Sequence, residues 1–590
     1  MSPPNKRSFE DEASDVNLND PCSDDEEEIY QKGNSDDDWT EIKASPKIGC
    51  LRNFTDCSNV FKAFIGSALI GLPFAVLQSG IVLAMVCIFL IASATDHCCG
   101  LIVKCKRIVV ANIIKEKIGR GESKDEVKRQ EEILGRTLSF GRIGKACLGR
   151  PGLLAVNVSV MVTQFGFTIG YFIFMGNTLR SVLKHFLVPH AALQNVTNAT
   201  MIPTHKLTTK MWTTTVATLT TGNTTLFNTT VLPLFSEFDN RTMTHFIYHH
   251  LKNAVEAVKD PLSQTNLLEN SYMAFAVLLL IPLPLLVLIS FVRNLRKLGP
   301  VSVIANASIT GAFGLTAIYI VSTMNGIPNN IALVKQKTFP IFFGQVTGAF
   351  EGIGTVIPIE GSMAENRKKY PCFLHLSLFL LSGILGTFGV VGYLAYGEKT
   401  CQIVTSNLHG DVAIALQLLL FVGVLFTYPL QIYPCIQITE RIFIKLRTWR
   451  AAKRTRYRVL NSKVLSKDEE EKLIDNDEKP EVDISPVKLK TWEGNLIRVF
   501  LISCTACIAL VFRSQFAYIA ALTGSIGSSL LSYILPPIFH ISLRRHEMSK
   551  WVIAKDIGLI VFGVVGGLMG MSVTIQEIVT AFSAGHPRHC

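Results

Sequence analysis

Two stretches of this chain combine glycine and proline in a way that an uninterrupted helix does not tolerate. The first reads Asn59-Val-Phe-Lys62-Ala-Phe-Ile-Gly66-Ser67-Ala68-Leu69-Ile70-Gly71-Leu72-Pro73. Glycine weakens a helix, and Pro73 lacks the donor that would bond the carbonyl of Leu69. The second reads Gly344-Gln-Val-Thr-Gly348-Ala-Phe350-Glu351-Gly352-Ile353-Gly354-Thr-Val-Ile-Pro358, where Pro358 frees the carbonyl of Gly354. In hydrocarbon no water satisfies such groups, so freed backbone becomes binding chemistry. Amides at the start of a half-helix favour an anion, and carbonyls at the end of one favour a cation. A zwitterionic amino acid presents both charges. Glycines can instead serve close helix packing, which accounts for either segment alone. The recurrence of the same device in the second segment favours the binding reading.

Glu351 is the sharpest single residue, because a carboxylate at mid-membrane depth costs several kcal/mol unless it is protonated, paired or hydrated. Two roles are open to it: a proton relay, or a cap on the freed amides of Gly352 to Gly354. Lys62 can snorkel its long stem to the interface. Asp96 and His97 fall in an apolar run, where His97 is either a proton site or packed against a neighbour. No nucleophile triad, phosphate-binding Gly-Lys loop or His-Cys metal cluster occurs in the aqueous segments, so enzyme chemistry has no support. The cysteines lie mostly within or beside apolar runs, and no disulfide or zinc framework is visible.

The elements that must position these residues follow from composition. Of 590 residues, 48% are hydrophobic and only 17% charged, and the mean hydropathy is +0.34. That is too apolar and charge-poor for a soluble globule. Long apolar runs suit helices crossing about 30 Å of hydrocarbon. The predicted spans are 58–78, 81–104, 153–176, 272–292, 301–324, 341–359, 372–396, 412–435, 496–513, 516–541 and 557–578, an all-α integral membrane protein of about eleven helices. The two interrupted segments lie five helices apart. Five is an odd number, so halves of that length insert with opposite orientation, as in transporters built from inverted repeats.

Two signals orient the map. Basic clusters occupy alternate loops (104–150, 293–297, 367–369, 441–490 and 544–545) and mark them as cytoplasmic. The net charge of +11 therefore reports topology rather than nucleic-acid binding. The opposite side holds loop 180–270, with N-glycosylation triplets at Asn195, Asn198, Asn223, Asn228 and Asn240. The N-terminus is then cytoplasmic. Residues 1–57 form an acidic tail with little to bury, expected to be disordered, and 579–590 form an extracytoplasmic tail. The 441–491 loop carries Tyr457-Arg-Val-Leu460 and a dileucine-type pattern at Leu473-Ile474, candidate contacts for sorting adaptors. They point to an endosomal or lysosomal membrane, with the plasma membrane as the alternative.

At these residues the chain resembles the proton-coupled amino acid transporters of the amino acid/auxin permease superfamily. The matching positions are Lys62, Ile65-Gly66 and Gly71-Leu72-Pro73; Gly100, Ile102-Val-Lys-Cys105, Val162-Thr-Gln164, Gly166-Phe167 and Tyr171-Phe172; then Arg293-Asn-Leu-Arg296, Phe350-Glu-Gly-Ile-Gly354, Pro358, Glu360 and Phe426-Thr-Tyr428 with Gln431. The resemblance implies a LeuT-like 5+5 inverted repeat plus one helix over residues 58–578. It implies import of small neutral amino acids toward the cytosol, with no cofactor beyond a coupling ion. Carried over by position, the backbone of Gly66, Ser67, Ala68, Leu69 and Ile70 would hold the substrate carboxylate. That of Phe350, Gly352, Ile353 and Gly354 would receive the amino group, with Phe350 covering the substrate. Two departures stand out: Asn59 where the family has a histidine implicated in proton coupling, and Ala68 where it has glycine. Glu351 and Asn59 remain proton-coupling candidates. Thr427 offers an oxygen to a cation such as sodium. A nutrient sensor that binds the amino acid with little flux is the competing reading, since the long acidic tail permits signalling.

Overall fold

The computed structural model describes residues 46–64, 67–197, 272–293, 299–324, 326–363, 365–465 and 489–583. The sequons at Asn198, Asn223, Asn228 and Asn240, the dileucine at Leu473, and Gly66 lie outside them. The chain divides into two compact units, Met1–Phe54 with Thr439–Gly494, and Thr55–Ile438 with Asn495–Cys590. In the first unit Arg447 grips the Glu493 carboxylate with two hydrogen bonds of 2.8 and 2.7 Å. The second unit carries the transmembrane core.

The described residues form helices joined by turns and short loops, without a strand among them. In chain order the helices are α1 (Pro46–Ala63), α2 (Leu72–Ser79), α3 (Ile81–Gly119), α4 (Lys124–Thr137), α5 (Phe140–Thr197), α6 (Tyr272–Leu280), α7 (Leu283–Ser290) and α8 (Gly299–Thr323). They continue as α9 (Phe339–Ala349), α10 (Ile353–Ser362), α11 (Tyr370–Tyr396), α12 (Asp411–Leu465), α13 (Thr491–Val511), α14 (Phe516–Thr523), α15 (Leu535–Arg544) and α16 (Lys550–Ser583). Among the described residues nine helical segments are long and apolar enough to cross a membrane. The two interrupted segments are not counted there, because each is split into shorter pieces.

Several helices outrun the apolar windows that predict them. The predicted span 81–104 continues to Gly119, and 412–435 continues to Leu465. Hydropathy ends where lipid ends, whereas backbone hydrogen bonding continues through polar residues. The span 272–292 is split at Ile281-Pro282, where proline removes a donor. The span 153–176 is part of a longer helix bent at Gly149, whose φ of 66° only glycine adopts freely. The span 516–541 is α-helical at its ends but π-helical over Gly524–Ser528 and Leu530–Ile534, a departure often found at functional positions. Cys401 is disulfide-bonded, which corrects the expectation of no disulfide.

The packing is reciprocal. α2, which ends the first interrupted segment, packs on α11, the helix after the second. α9 and α10, the second interrupted segment, pack on α3, the helix after the first. α8 likewise packs on α11, as α15 packs on α3. α2 and α8 thus both lean on α11, as α9, α10 and α15 lean on α3.

The sides of the core are closed differently. On the sequon side, loop 324–338 is pinned by its backbone: Ile81 N to Ala332 O at 3.2 Å, Val82 N to Leu333 O at 3.0 Å and Lys335 N to Ser79 O at 2.7 Å. Gly80, at φ 80°, sits so close that a Cβ there would lie 2.6 Å from the Leu333 carbonyl carbon. On the basic-loop side, closure is ionic and involves Glu360.

Candidate functional site

The first interruption is a gap between α1, which ends at Ala63, and a 3₁₀ turn over Ser67–Gly71 that leads into α2 with Pro73 at its start. The second interruption falls at Phe350–Gly352, between α9 and α10. Pro358 lies inside α10 rather than at the break.

The two breaks meet. A Cβ on Gly352 would lie 2.5 Å from the ring of Phe64, so the residue that closes α1 rests on the glycine that opens α10. Seven residues beyond Phe64, a Cβ on Gly71 would come 3.4 Å from Nε2 of Gln345 and 3.6 Å from the carbonyl of Gln402. Around them Leu69, Ile70, Phe350 and Ile353 are buried, while Gly354 is exposed. Ser67 and Ala68 lie in the 3₁₀ turn. Phe350 is 1% exposed and belongs to the apolar core beside the break.

Glu351 sits in the break itself. The N-cap residue of α10 is Gly352, which has no side chain to cap with. Among the described residues the Glu351 carboxylate has no ion pair and no side-chain hydrogen bond; its backbone N–H donates to Gly348 O at 3.3 Å. Asn59 is exposed on α1, a turn before the helix ends. The hydroxyl of Thr427 donates to Gly423 O of its own helix at 2.7 Å. Asn195 and Tyr457 fall on the backbone of α5 and α12.

Sequence reading missed three contributors. Gln345 is buried on α9, and its Oε1 has no hydrogen-bond partner, which leaves an acceptor beside the first break. Gln402 reaches the site from a buried loop between α11 and α12, where its Nε2 donates to Ser514 O and its Oε1 accepts from Ala517 N, both at 3.0 Å. Neither has a local signature, since each acts on residues far away in the chain. The third is the ionic closure. Glu360, 1% exposed, meets Lys106 Nζ at 2.7 Å, with Arg367 at 3.5 Å and Arg107 at 3.6 Å. Arg367 also donates to Gly135 O on α4 at 3.0 Å, and Asn366 donates to Asp56 on α1 at 2.7 Å. Such a buried carboxylate persists because several cations share it. The cluster holds α10 to α3 and α4 at the end remote from the break.

On the sequon side, a cavity of about 380 Å³ is lined by Leu77, Gln78, Lys335, Thr338, Glu398 and Glu577, among others. Lys335 pairs with Glu398 at its rim at 2.6 Å.

These features define a multi-pass, all-α integral membrane protein with two interrupted helices meeting at their breaks, the architecture of a transporter rather than an enzyme. The chain belongs to the transmembrane amino acid transporter protein family, whose profile matches residues 53–220 and 242–576. It is similar to amino acid transporter AVT3B of Arabidopsis thaliana, 24% identical over 530 residues that cover 89% of this chain and 93% of the relative. It is also similar to AVT3C, 25% identical over 89% of this chain and 91% of the relative, and to ANT1, 22% identical over 88% and 91%, both from the same plant.

Proposed function

We propose that the protein is a secondary active transporter that carries small neutral amino acids toward the cytosol by alternating access around the two breaks. The observation that carries this reading is the contact of the Phe64 ring with Gly352, which sets the end of α1 against the start of α10. The reciprocal packing of the two halves supports an inverted repeat whose members rock about that place. With the N-terminus cytoplasmic, the cavity at Gln78 and Glu398 is an outer vestibule and the Glu360 cluster an inner closure. The tight apolar surroundings of Leu69, Ile70, Phe350 and Ile353 suit a small side chain. The sequons of the long loop are glycosylated, and the Tyr457 and Leu473 motifs address the protein to an endosomal or lysosomal membrane.

The driving ion is the proton, with Glu351 as its carrier at the break. An unpaired carboxylate there can exchange a proton without first breaking a salt bridge. Sodium is the competing ion: Thr427 donates its hydroxyl proton to Gly423 O of its own helix, which leaves the oxygen lone pairs available to a cation. The test is uptake of labelled alanine, glycine and proline into proteoliposomes under an imposed proton gradient, with and without sodium. Wild type accumulates substrate without sodium, and Glu351→Gln abolishes the gradient-driven component. Unchanged accumulation in that variant removes Glu351 from the relay.

A further inference from the structure

A second cluster of buried titratable groups lies away from the breaks, where α3, α15 and α16 pack together. Asp556 on α16 is completely buried, with Oδ2 2.7 Å from Nδ1 of His540 on α15. Its Oδ1 is buried without a hydrogen-bond partner, and so is Nε2 of His97 on α3. An Asp–His pair is a poor packing device in an apolar bundle, and intramembrane ionisable groups characteristically mark ion pathways.

The surroundings are those of a site that exchanges with one side of the membrane. His540 precedes Arg544, the end of α15, by four residues, and Asp556 follows Lys550, the start of α16, by six. At 1.5 Å per residue both lie within about 9 Å of the basic-loop side. From α3 the charged and titratable neighbours are His97, Cys98, Lys104 and Cys105, and from α16 Lys555 joins Asp556. From α5, the backbone carbonyl of Cys147 accepts a 2.7 Å hydrogen bond from the Ser542 hydroxyl of α15, and Lys145 lies two residues away. From the π-helical segment, Tyr533 is engaged with Thr95 at 2.8 Å. The same helix links this cluster to the break: Cys99 lies within electrostatic reach of Glu351, and its neighbour Cys98 within reach of Asp556.

We propose that His540 and Asp556, with His97 of α3 as their neighbour, form a proton-binding station on the basic-loop side of the transport cycle, separate from Glu351. The pair takes up one proton and returns the same proton to the aqueous phase on the basic-loop side. No other bond forms or breaks. The inference rests on the proton-coupled reading above.

The experiment uses the full chain in proteoliposomes, with a trapped pH dye to read alanine-driven proton movement and labelled alanine to read exchange between the two faces, which needs no net proton flux. In Asp556→Asn and His540→Gln the ratio of proton movement to exchange falls about tenfold. A wild-type ratio in both variants overturns the station while leaving coupling intact. If wild type itself exchanges alanine but moves no protons, the coupling reading fails and the station with it. Where Asp556→Asn yields no folded protein, His540→Gln decides alone. Equal loss of exchange and proton movement in the surviving variants makes the pair structural and also overturns the proposal.

Discussion

At the scale of single residues, the site depends on a glycine that has no room to be anything else. A methyl on Gly352 would lie 2.5 Å from the Phe64 ring, so Gly352→Ala forces the breaks apart. Overpacking of this kind costs about 1–3 kcal/mol. Uptake of labelled alanine by this variant is expected to fall by about tenfold or more, since a misplacement of about 1 Å can cost about 100-fold. Adding Phe64→Ala should recover part of it, whereas a double variant no better than the single one would mean the contact is not what positions the site. Glu360 poses a different problem. Replacing it with Gln leaves Lys106 buried without its anion, a change that costs about 3–5 kcal/mol. The thermal midpoint of the purified protein should drop, and the double replacement Glu360→Met with Lys106→Met should restore much of it.

At the scale of elements, the interruptions are legible because they are written in residue types: Gly66, Gly71 and Pro73, then Gly348, Gly352 and Gly354. The true extents of α3 and α12 are not, because polar residues continue a helix that hydropathy no longer detects. The split between α9 and α10 is legible, but the role of Pro358 is misleading, since a proline can be housed inside a short half-helix. Gln402 and the Lys106–Glu360 pair escape sequence reading for a topological reason. Their partners lie 115 and 254 residues away, and only the folded packing makes them neighbours. The same holds for the pinned loop over α2. Gly80→Ala combines a strained φ of 80° with a clash against the Leu333 backbone. It should loosen the sequon-side closure, read as faster labelling of a cysteine introduced at Gln78; unchanged labelling would show that the loop does not seal the vestibule.

At the scale of the whole molecule, α2 packs on α11 and α10 on α3, so each interrupted segment rests on the helix that follows the other. That arrangement suits the proposed carrier better than a rigid receptor, since opening of the Glu360 cluster in such a cycle would displace α10 and with it Gly352. It also separates the carrier from a sensor experimentally. The most direct measurement is time-resolved accumulation of labelled alanine in proteoliposomes containing the purified protein, alongside equilibrium binding of the same substrate in detergent. Binding accompanied by repeated turnover, many substrate molecules moved per protein, is the predicted result. Saturable binding with no flux above protein-free vesicles would contradict the account and identify a sensor.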